Sequence, residues 1–249
     1  IEQPDDNTLR PGFPHQFVIF IKIRPLVTNF HPLYGNATPT EHFFNAVFTP
    51  RLPLDPPLFA CYNIAKSTQG GLCVKRIVLT GGGTAGHVSP NQALIPHLLE
   101  EGWDIHYIGT KNGIERTLIE PMQGVTYHAV SSGKLRRYFD WKNFTDPFRV
   151  IAGAFQSIGV IGRLKPNVVF SKGGFVSVPV VFGAAICGVP VVMHESDITP
   201  GLANKLCKPF AKSVCTTFPE CAKLLAPKGV LTGTPLRAQI FSGDRARGL

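Results

Sequence analysis

Lys75-Arg76-Ile77-Val78-Leu79-Thr80-Gly81-Gly82-Gly83-Thr84-Ala85-Gly86-His87-Val88-Ser89-Pro90 is the stretch on which the fold turns. Ile77 to Thr80 is an apolar, largely β-branched run of the kind buried in a sheet, and three glycines then break it where side chains would block close approach to the backbone. Beyond the loop, Leu94, Ile95, Leu98 and Leu99 recur at helical spacing up to a stop at Gly102. The unit is strand, glycine loop, helix. Such a loop points backbone N–H groups and a positive helix terminus at the space above the strand, which favours a phosphate or another anion.

Gly81, Gly83 and Gly86 fit G-x-G-x-x-G, a common pattern that raises a dinucleotide oxidoreductase first. That reading needs an acidic residue at the end of the second strand to hold a ribose. Ile105-His106-Tyr107-Ile108 instead runs into Gly109-Thr110-Lys111, which argues against it. A tight turn with no ligand is the plainer alternative, since glycines also serve backbone geometry alone.

Outward from this unit, strand-like and helix-like stretches alternate. Strands are expected at 75–80, 104–108, 125–130, 167–171, 190–194, 213–217 and 229–232, with helices near 90–101, 113–120, 147–164, 178–187 and 200–208. Strands separated by such helices form βαβ crossovers, so the expectation is an α/β fold with a Rossmann-like parallel sheet covered on both faces. Ligands bind such sheets at the carboxyl ends of the strands. A second glycine loop, Ser171-Lys172-Gly173-Gly174-Phe175-Val176-Ser177-Val178-Pro179, falls at that edge and leads into a helix whose first turn suits Pro179. Two glycine loops at one end of one sheet favour a bound diphosphate, with Lys172 either its counter-charge or simply solvated. A third strand ends in His194-Glu195-Ser196-Asp197. Ser196 or Asp197 suits a helix cap, and His194 with Glu195 suits a buried hydrogen-bonded pair, as readily as a ligand site. The expectation is that the three turns converge on one pyrophosphate.

The 249 residues, 44% hydrophobic, suffice for one large domain or two small ones. No apolar run reaches the ~20 residues of a membrane span, and the acidic start Ile1-Glu2-Gln3-Pro4-Asp5-Asp6 is unlike a secretory signal. The six cysteines form no C-x-x-C pair and no ligand-like spacing with histidine, so reduced core thiols and no metal are expected. The net charge of +9 is uneven: Lys134, Arg136, Arg137, Lys142, Arg149, Arg163, Lys165 and Lys172 face only Asp140 and Asp146 between residues 131 and 172. Such a block suits a polyanion. Because Leu135, Tyr138, Phe139, Trp141, Phe144 and Phe148 are interleaved with the bases, an anionic membrane surface is favoured over nucleic acid. Packing of those aromatics into the core is the other reading.

Residues 1–73 read differently. Ten prolines fall between Pro4 and Pro57 and no sustained period is apparent, so little stable structure is expected there. Gln69-Gly70-Gly71 can be encoded by a ribosome-binding sequence a few nucleotides before a GTG codon for Val74, so this extension is a candidate for translated upstream DNA.

Together the loops resemble one family, the MurG-type glycosyltransferases of peptidoglycan synthesis. The resemblance rests on Gly82-Gly83-Thr84-Ala85-Gly86-His87-Val88-Ser89-Pro90, Ser131-Ser132-Gly133-Lys134-Leu135-Arg136-Arg137-Tyr138-Phe139-Asp140 and the second loop from Ser171 to Pro179. It continues through His194-Glu195-Ser196-Asp197-Ile198-Thr199-Pro200-Gly201-Leu202-Ala203-Asn204-Lys205 and Leu231-Thr232-Gly233-Thr234-Pro235-Leu236-Arg237. It spans residues 74–241, leaving 242–249 as the start of a linker to a donor-binding domain.

The resemblance implies the amino-terminal, acceptor-binding half of a GT-B fold. It implies inverting transfer of N-acetylglucosamine from UDP-N-acetylglucosamine to lipid I, giving lipid II, with no cofactor. Gly82, Gly83, Gly173, Gly174 and Lys172 would hold the acceptor diphosphate, and Thr84, Ala85, Gly86, Asp197 and Arg237 would face the donor. His87 and Glu195 would be catalytic, His87 as the base; a loop-ordering hydrogen bond is the other role open to His87. Ala85 replaces the middle glycine of the Thr-Gly-Gly form, and Asp197 stands where some members carry asparagine. Leu135, Arg136, Arg137, Tyr138, Phe139, Trp141 and Phe144 would form a patch against the cytoplasmic face of the cell membrane. A donor half-site and no measurable turnover are expected of these 249 residues.

Overall fold

A computed structural model describes residues 38–48, 74–133, 142–237 and 240, without the side chains of 39, 42, 45, 46, 48 and 142–147. The described residues all lie in one unit, Asn36–Leu249. Its frame is a seven-stranded, wholly parallel sheet. The strands are β1 (Arg76–Thr80), β2 (Asp104–Thr110), β3 (Val125–Val130), β4 (Val168–Ser171), β5 (Val191–Glu195), β6 (Ser213–Thr216) and β7 (Gly229–Leu231). All seven stand where the strand-like runs place them; the five inner strands are buried on both faces and need near-continuous apolar sequence, whereas the edge strands β3 and β7 are partly exposed.

The spatial order is β3-β2-β1-β4-β5-β6-β7. The chain therefore reverses direction between β1 and β4, and the first and second glycine loops leave adjacent strands at this switch point. Thr80, the last residue of β1, is level with Ser171, the last of β4, while on the other side β2 runs two residues past Ile108, its level partner, to Thr110.

Helices α1 (Pro39–Phe48), α2 (Ser89–Glu100) and α3 (Ile114–Ile119) cover one face, packing Phe43, Leu94 and Ile119 with Ile77, Leu79, Tyr107 and Phe170. On the other face α4 (Lys142–Leu164), α5 (Ser177–Ile186), α6 (Leu202–Cys207) and α7 (Pro219–Leu224) pack Ile161, Val181, Cys207 and Cys221 with Val78, Val169, Met193 and Val214. Period-two alternation sends neighbouring strand residues to opposite cores.

Helix α1 lies within residues 1–73, where little stable structure is expected. Thr38 and Glu41 form a capping box: the Thr38 N–H donates to Glu41 Oε2 at 2.6 Å and the Glu41 N–H to Thr38 Oγ1 at 3.3 Å. Phe43, Phe44 and Val47 then lie on one face and are buried. The crossovers explain why this helix has a place. Those through α2 and α3 cover β1 to β3 on that face, whereas α5, α6 and α7 all lie on the other, leaving β4 to β6 bare there. Phe43 fills the gap edge-on to Phe170 and His194, with ring centroids 6.0 and 5.4 Å away. Helices α1 and α7 are absent from the sequence reading, and α4 begins at Lys142 rather than near 147.

Candidate functional site

The first glycine loop turns through Gly81–Gly83 into a short 3-10 turn, Ala85–His87, and then α2. Thr84, Ala85, Gly86 and Gly83 are exposed on its rim, while Gly82 is buried. Its backbone is tied to the sheet from below: Tyr107 Oη donates to the Gly81 carbonyl at 2.6 Å, and Asn91 Nδ2 to the Thr80 carbonyl at 3.2 Å. Burial pushes the Tyr107 phenol far above its ordinary value, so it remains a donor.

The second loop, Lys172–Val176, touches the first. A methyl on Gly174 (φ 81°) would overlap the Gly82 carbonyl oxygen and stand 3.1 Å from His87 Cδ2. Gly173 (φ 94°) rests on Asn204, whose Oδ1 would lie 2.9 Å from an added Cβ. The amides of Gly82, Gly173 and Gly174 make no hydrogen bond among the described residues. Gly83 differs, since its N–H donates to Glu115 Oε2 at 3.1 Å. This corrects the expectation that Gly83 offers its amide to a diphosphate: a side chain of the protein already holds it.

His87 lies where the two loops meet. Its ring is half-buried, and Nδ1 has no partner among the described residues. Burial first, and the Lys172 charge second, lower its pKa; Glu195 and Asp197 pull the other way without prevailing. The ring is therefore neutral near pH 7 and able to accept a proton.

Lys172 is neither solvated nor on the rim. It is 1% exposed and donates from Nζ to Ser196 Oγ at 3.1 Å. Burial lowers its pKa against the opposing pull of Glu195 and Asp197. The group is a buried floor beneath the second loop.

The turn after β5 also differs from expectation. Glu195 accepts from the Asp197 N–H at 3.1 Å, the Gly201 N–H at 2.9 Å and Asn204 Nδ2 at 2.9 Å. Three donors hold its carboxylate, one on Oε1 and two on Oε2, so it orders the 196–201 turn. The proposed His194–Glu195 pair does not form, because consecutive strand residues face opposite ways. His194 bonds the Gly233 carbonyl at 2.9 Å, and burial, with the Lys172 charge, lowers its pKa to about 3. Neither Ser196 nor Asp197 caps a helix; the α6 cap is Gly201. Asp197 and Arg237 are exposed.

An open cavity of about 1060 Å³ lies beside these loops. It is lined from the first loop (Gly82, Gly83, Thr84, His87), the turn after β2 (Thr110 to Glu115), the segment after β3 (Ser131, Ser132, Gly133), α4 (Arg149, Gln156) and the second loop (Gly174, Phe175). The turn after β5 is not part of the lining, so the three expected turns do not share one cavity. The turn after β2 takes the third place, and Thr110, Asn112, Glu115 and Gln156 went unassigned in the sequence reading. Gln156 Oε1 accepts the Ser131 N–H at 2.6 Å and Ser132 Oγ donates to the Phe175 carbonyl at 3.1 Å, which joins the β3 segment to α4 and the second loop. Among the described residues no cluster of three or more His, Cys, Asp or Glu could hold a metal.

Of the expected membrane patch, residues 135–139 and Trp141 lie outside the described residues, as does the Phe144 side chain. The part of α4 that follows is described. Phe148 and Phe155 are 73% and 70% exposed, and Ile151 between them is also exposed. Their spacing forms one apolar stripe, with exposed Arg149 beside it.

A parallel doubly wound sheet, with two touching glycine loops and an open cavity at its switch point, defines a Rossmann-type ligand-binding domain. The chain belongs to glycosyltransferase family 28: the family's N-terminal domain matches residues 77–216. It is similar to two relatives named UDP-N-acetylglucosamine--N-acetylmuramyl-(pentapeptide) pyrophosphoryl-undecaprenol N-acetylglucosamine transferase. The Clostridium novyi protein is 60% identical over 174 residues, 70% of this chain and 48% of the relative. The Clostridium kluyveri protein is 62% identical over 176 residues, 70% of this chain and 50% of the relative. Among solved structures, Acinetobacter baumannii MurG matches with a TM-score of 0.55 at 27% identity, over 66% of this chain and 46% of that one. The chain thus spans about half the length of the relatives it matches.

Proposed function

We propose that this chain is the acceptor-binding half of an N-acetylglucosaminyltransferase that converts lipid I to lipid II with UDP-N-acetylglucosamine as donor. The observation that carries the reading is the junction of the two glycine loops, where the neutral His87 ring stands beside Gly174 and the open amides of Gly173 and Gly174. Those amides would hold the acceptor diphosphate. His87 would take the proton of the C4 hydroxyl as that oxygen attacks the anomeric carbon and the nucleotide departs. Thr84, Ala85 and Gly86, exposed on the rim, and Asp197 and Arg237, exposed beyond the cavity, are the surfaces assigned to the donor.

The α4 stripe supports a peripheral position on an anionic membrane rather than a nucleic-acid partner. Phe148, Ile151 and Phe155 offer an interfacial face that overlaps in sequence the end of the basic stretch 134–149, and no described helix is long and apolar enough to cross a bilayer. On this reading the acceptor's diphosphate and the protein would meet at the same surface.

The cavity is lined without Asp197 or Arg237, which favours a second reading, a non-catalytic module that binds lipid diphosphate at the membrane. Sedimentation of the 249-residue chain with anionic vesicles, with and without lipid I, tests what the two readings share. Lipid I should increase the bound fraction, and equal binding to both vesicles overturns them together. Adding UDP-N-acetylglucosamine to the same vesicles is expected to give no lipid II from this chain alone. Product would remove that expectation and the non-catalytic reading.

A further inference from the structure

Glu115 is a fully buried carboxylate directly beneath the first glycine loop. Oε2 accepts the Gly83 N–H at 3.1 Å; Oε1 accepts the Thr110 N–H at 3.0 Å and the Thr110 hydroxyl. Three glycines make room for this one side chain. A Cβ on Gly82 would lie 2.6 Å from Glu115 Cδ, one on Gly109 would lie 2.8 Å from Cγ, and one on Gly113 would overlap Oε1. Glycines drawn from two loops and the end of β2 therefore surround a carboxylate of the protein itself.

A backbone N–H at the mouth of a glycine loop is an anion seat. In this loop the seat at Gly83 holds an anion already, and a phosphate entering it would have to displace a buried, hydrogen-bonded carboxylate and meet its charge at contact distance. The Gly173 and Gly174 amides have no such occupant among the described residues.

We propose that Glu115 is a resident anion of the first glycine loop, a positioning residue that holds Gly83 and Thr110 together and directs ligand diphosphate to Gly173 and Gly174. The inference rests on the diphosphate reading above and deepens it. Glu115 clamps the loop after β1 to the turn after β2, so the segment carrying His87 has a fixed origin before any ligand arrives.

The test is amide NMR of the intact 249-residue chain with inorganic pyrophosphate as the probe. In the native chain, pyrophosphate should shift the Gly173 and Gly174 amides and leave Gly83 unmoved. Glu115→Gln retains the volume but removes the charge and leaves a single oxygen for the donors of Gly83 and Thr110. It should move the Gly83 resonance upfield without ligand and make Gly83 respond to pyrophosphate. A Gly83 shift in the native chain equal to that of Gly173, or a Gly83 resonance indifferent to Glu115→Gln, overturns the proposal. Should all three glycines ignore pyrophosphate while Glu115→Gln still moves Gly83, Glu115 keeps its seat and the diphosphate reading falls instead. If the variant does not fold, hydrogen exchange of the native chain decides: Gly83, an exposed residue, should carry a protected amide, and exchange at the rate of an unbonded surface amide overturns the assignment.

Discussion

The loops after β1 and β4 leave adjacent strands at the same edge, and both contain glycines at positive φ, yet the glycines serve opposite purposes. In the first loop Gly82 and Gly83 accommodate and bond Glu115. In the second, Gly173 and Gly174 bring backbone against Asn204 and Gly82 while their amides remain open. Similar composition therefore conceals a closed seat and an open one. What separates them is the neighbour that tertiary folding brings underneath: a carboxylate in one case, and buried Lys172 with Asn204 in the other.

The largest expected effect comes from Gly174→Ala. Left-handed backbone at an L-residue costs about 1–2 kcal/mol, and overlap with the Gly82 carbonyl adds about 1–3. A loss of roughly 3 kcal/mol should lower Tm by roughly 6–12 °C and abolish the pyrophosphate response of the second loop. Near-native stability would mean that the loops do not touch as described.

Acidification should come next and should separate the loops. The folded pKa of His194 is about 3, below the ordinary 6.5, so the unfolded chain binds more protons between these values. The stabilisation is complete above about pH 6.5 and is lost as pH falls, about 2 kcal/mol of it by pH 5. Asn204 bonds the His194 carbonyl and packs on Gly173, so the Gly173 resonance should shift on acidification before that of Gly83. Denaturant titrations at pH 7 and 5 measure the total, and His194→Gln should flatten the dependence.

Gly83→Ala should have the smallest effect. A methyl there meets nothing within 4 Å, so only the cost of φ 86° remains, about 1 kcal/mol. A loss as large as that of Gly174→Ala would erase the contrast between the loops.

The sheet was legible because each strand is a short apolar run ending in glycine or polar residues, and β1 to β7 follow those runs. Helix α1 was missed although Thr38 and Glu41 spell a capping box and Phe43, Phe44 and Val47 share a face; the surrounding prolines obscured a helix of ten residues. Helix α7 is six residues long, too short for a period to show. Of the site, the glycine loops and His87 could be read directly. Glu115 could not, being 32 residues from Gly83 and brought beneath it only by the pairing of β1 with β2. The three donors on Glu195 left no sign in the sequence, because a polar residue at a strand end looks alike whether or not its carboxylate is engaged.

By itself, then, the sequence determined a parallel sheet, the edge at which its glycine loops gather and the family, since burial periodicity and glycine spacing are local properties of a chain. Which glycine amide is open, which carboxylate is occupied and which lysine is buried were decided only by tertiary structure. Each depends on a partner distant in sequence whose hydrogen bond either uses up the group or leaves it for a ligand.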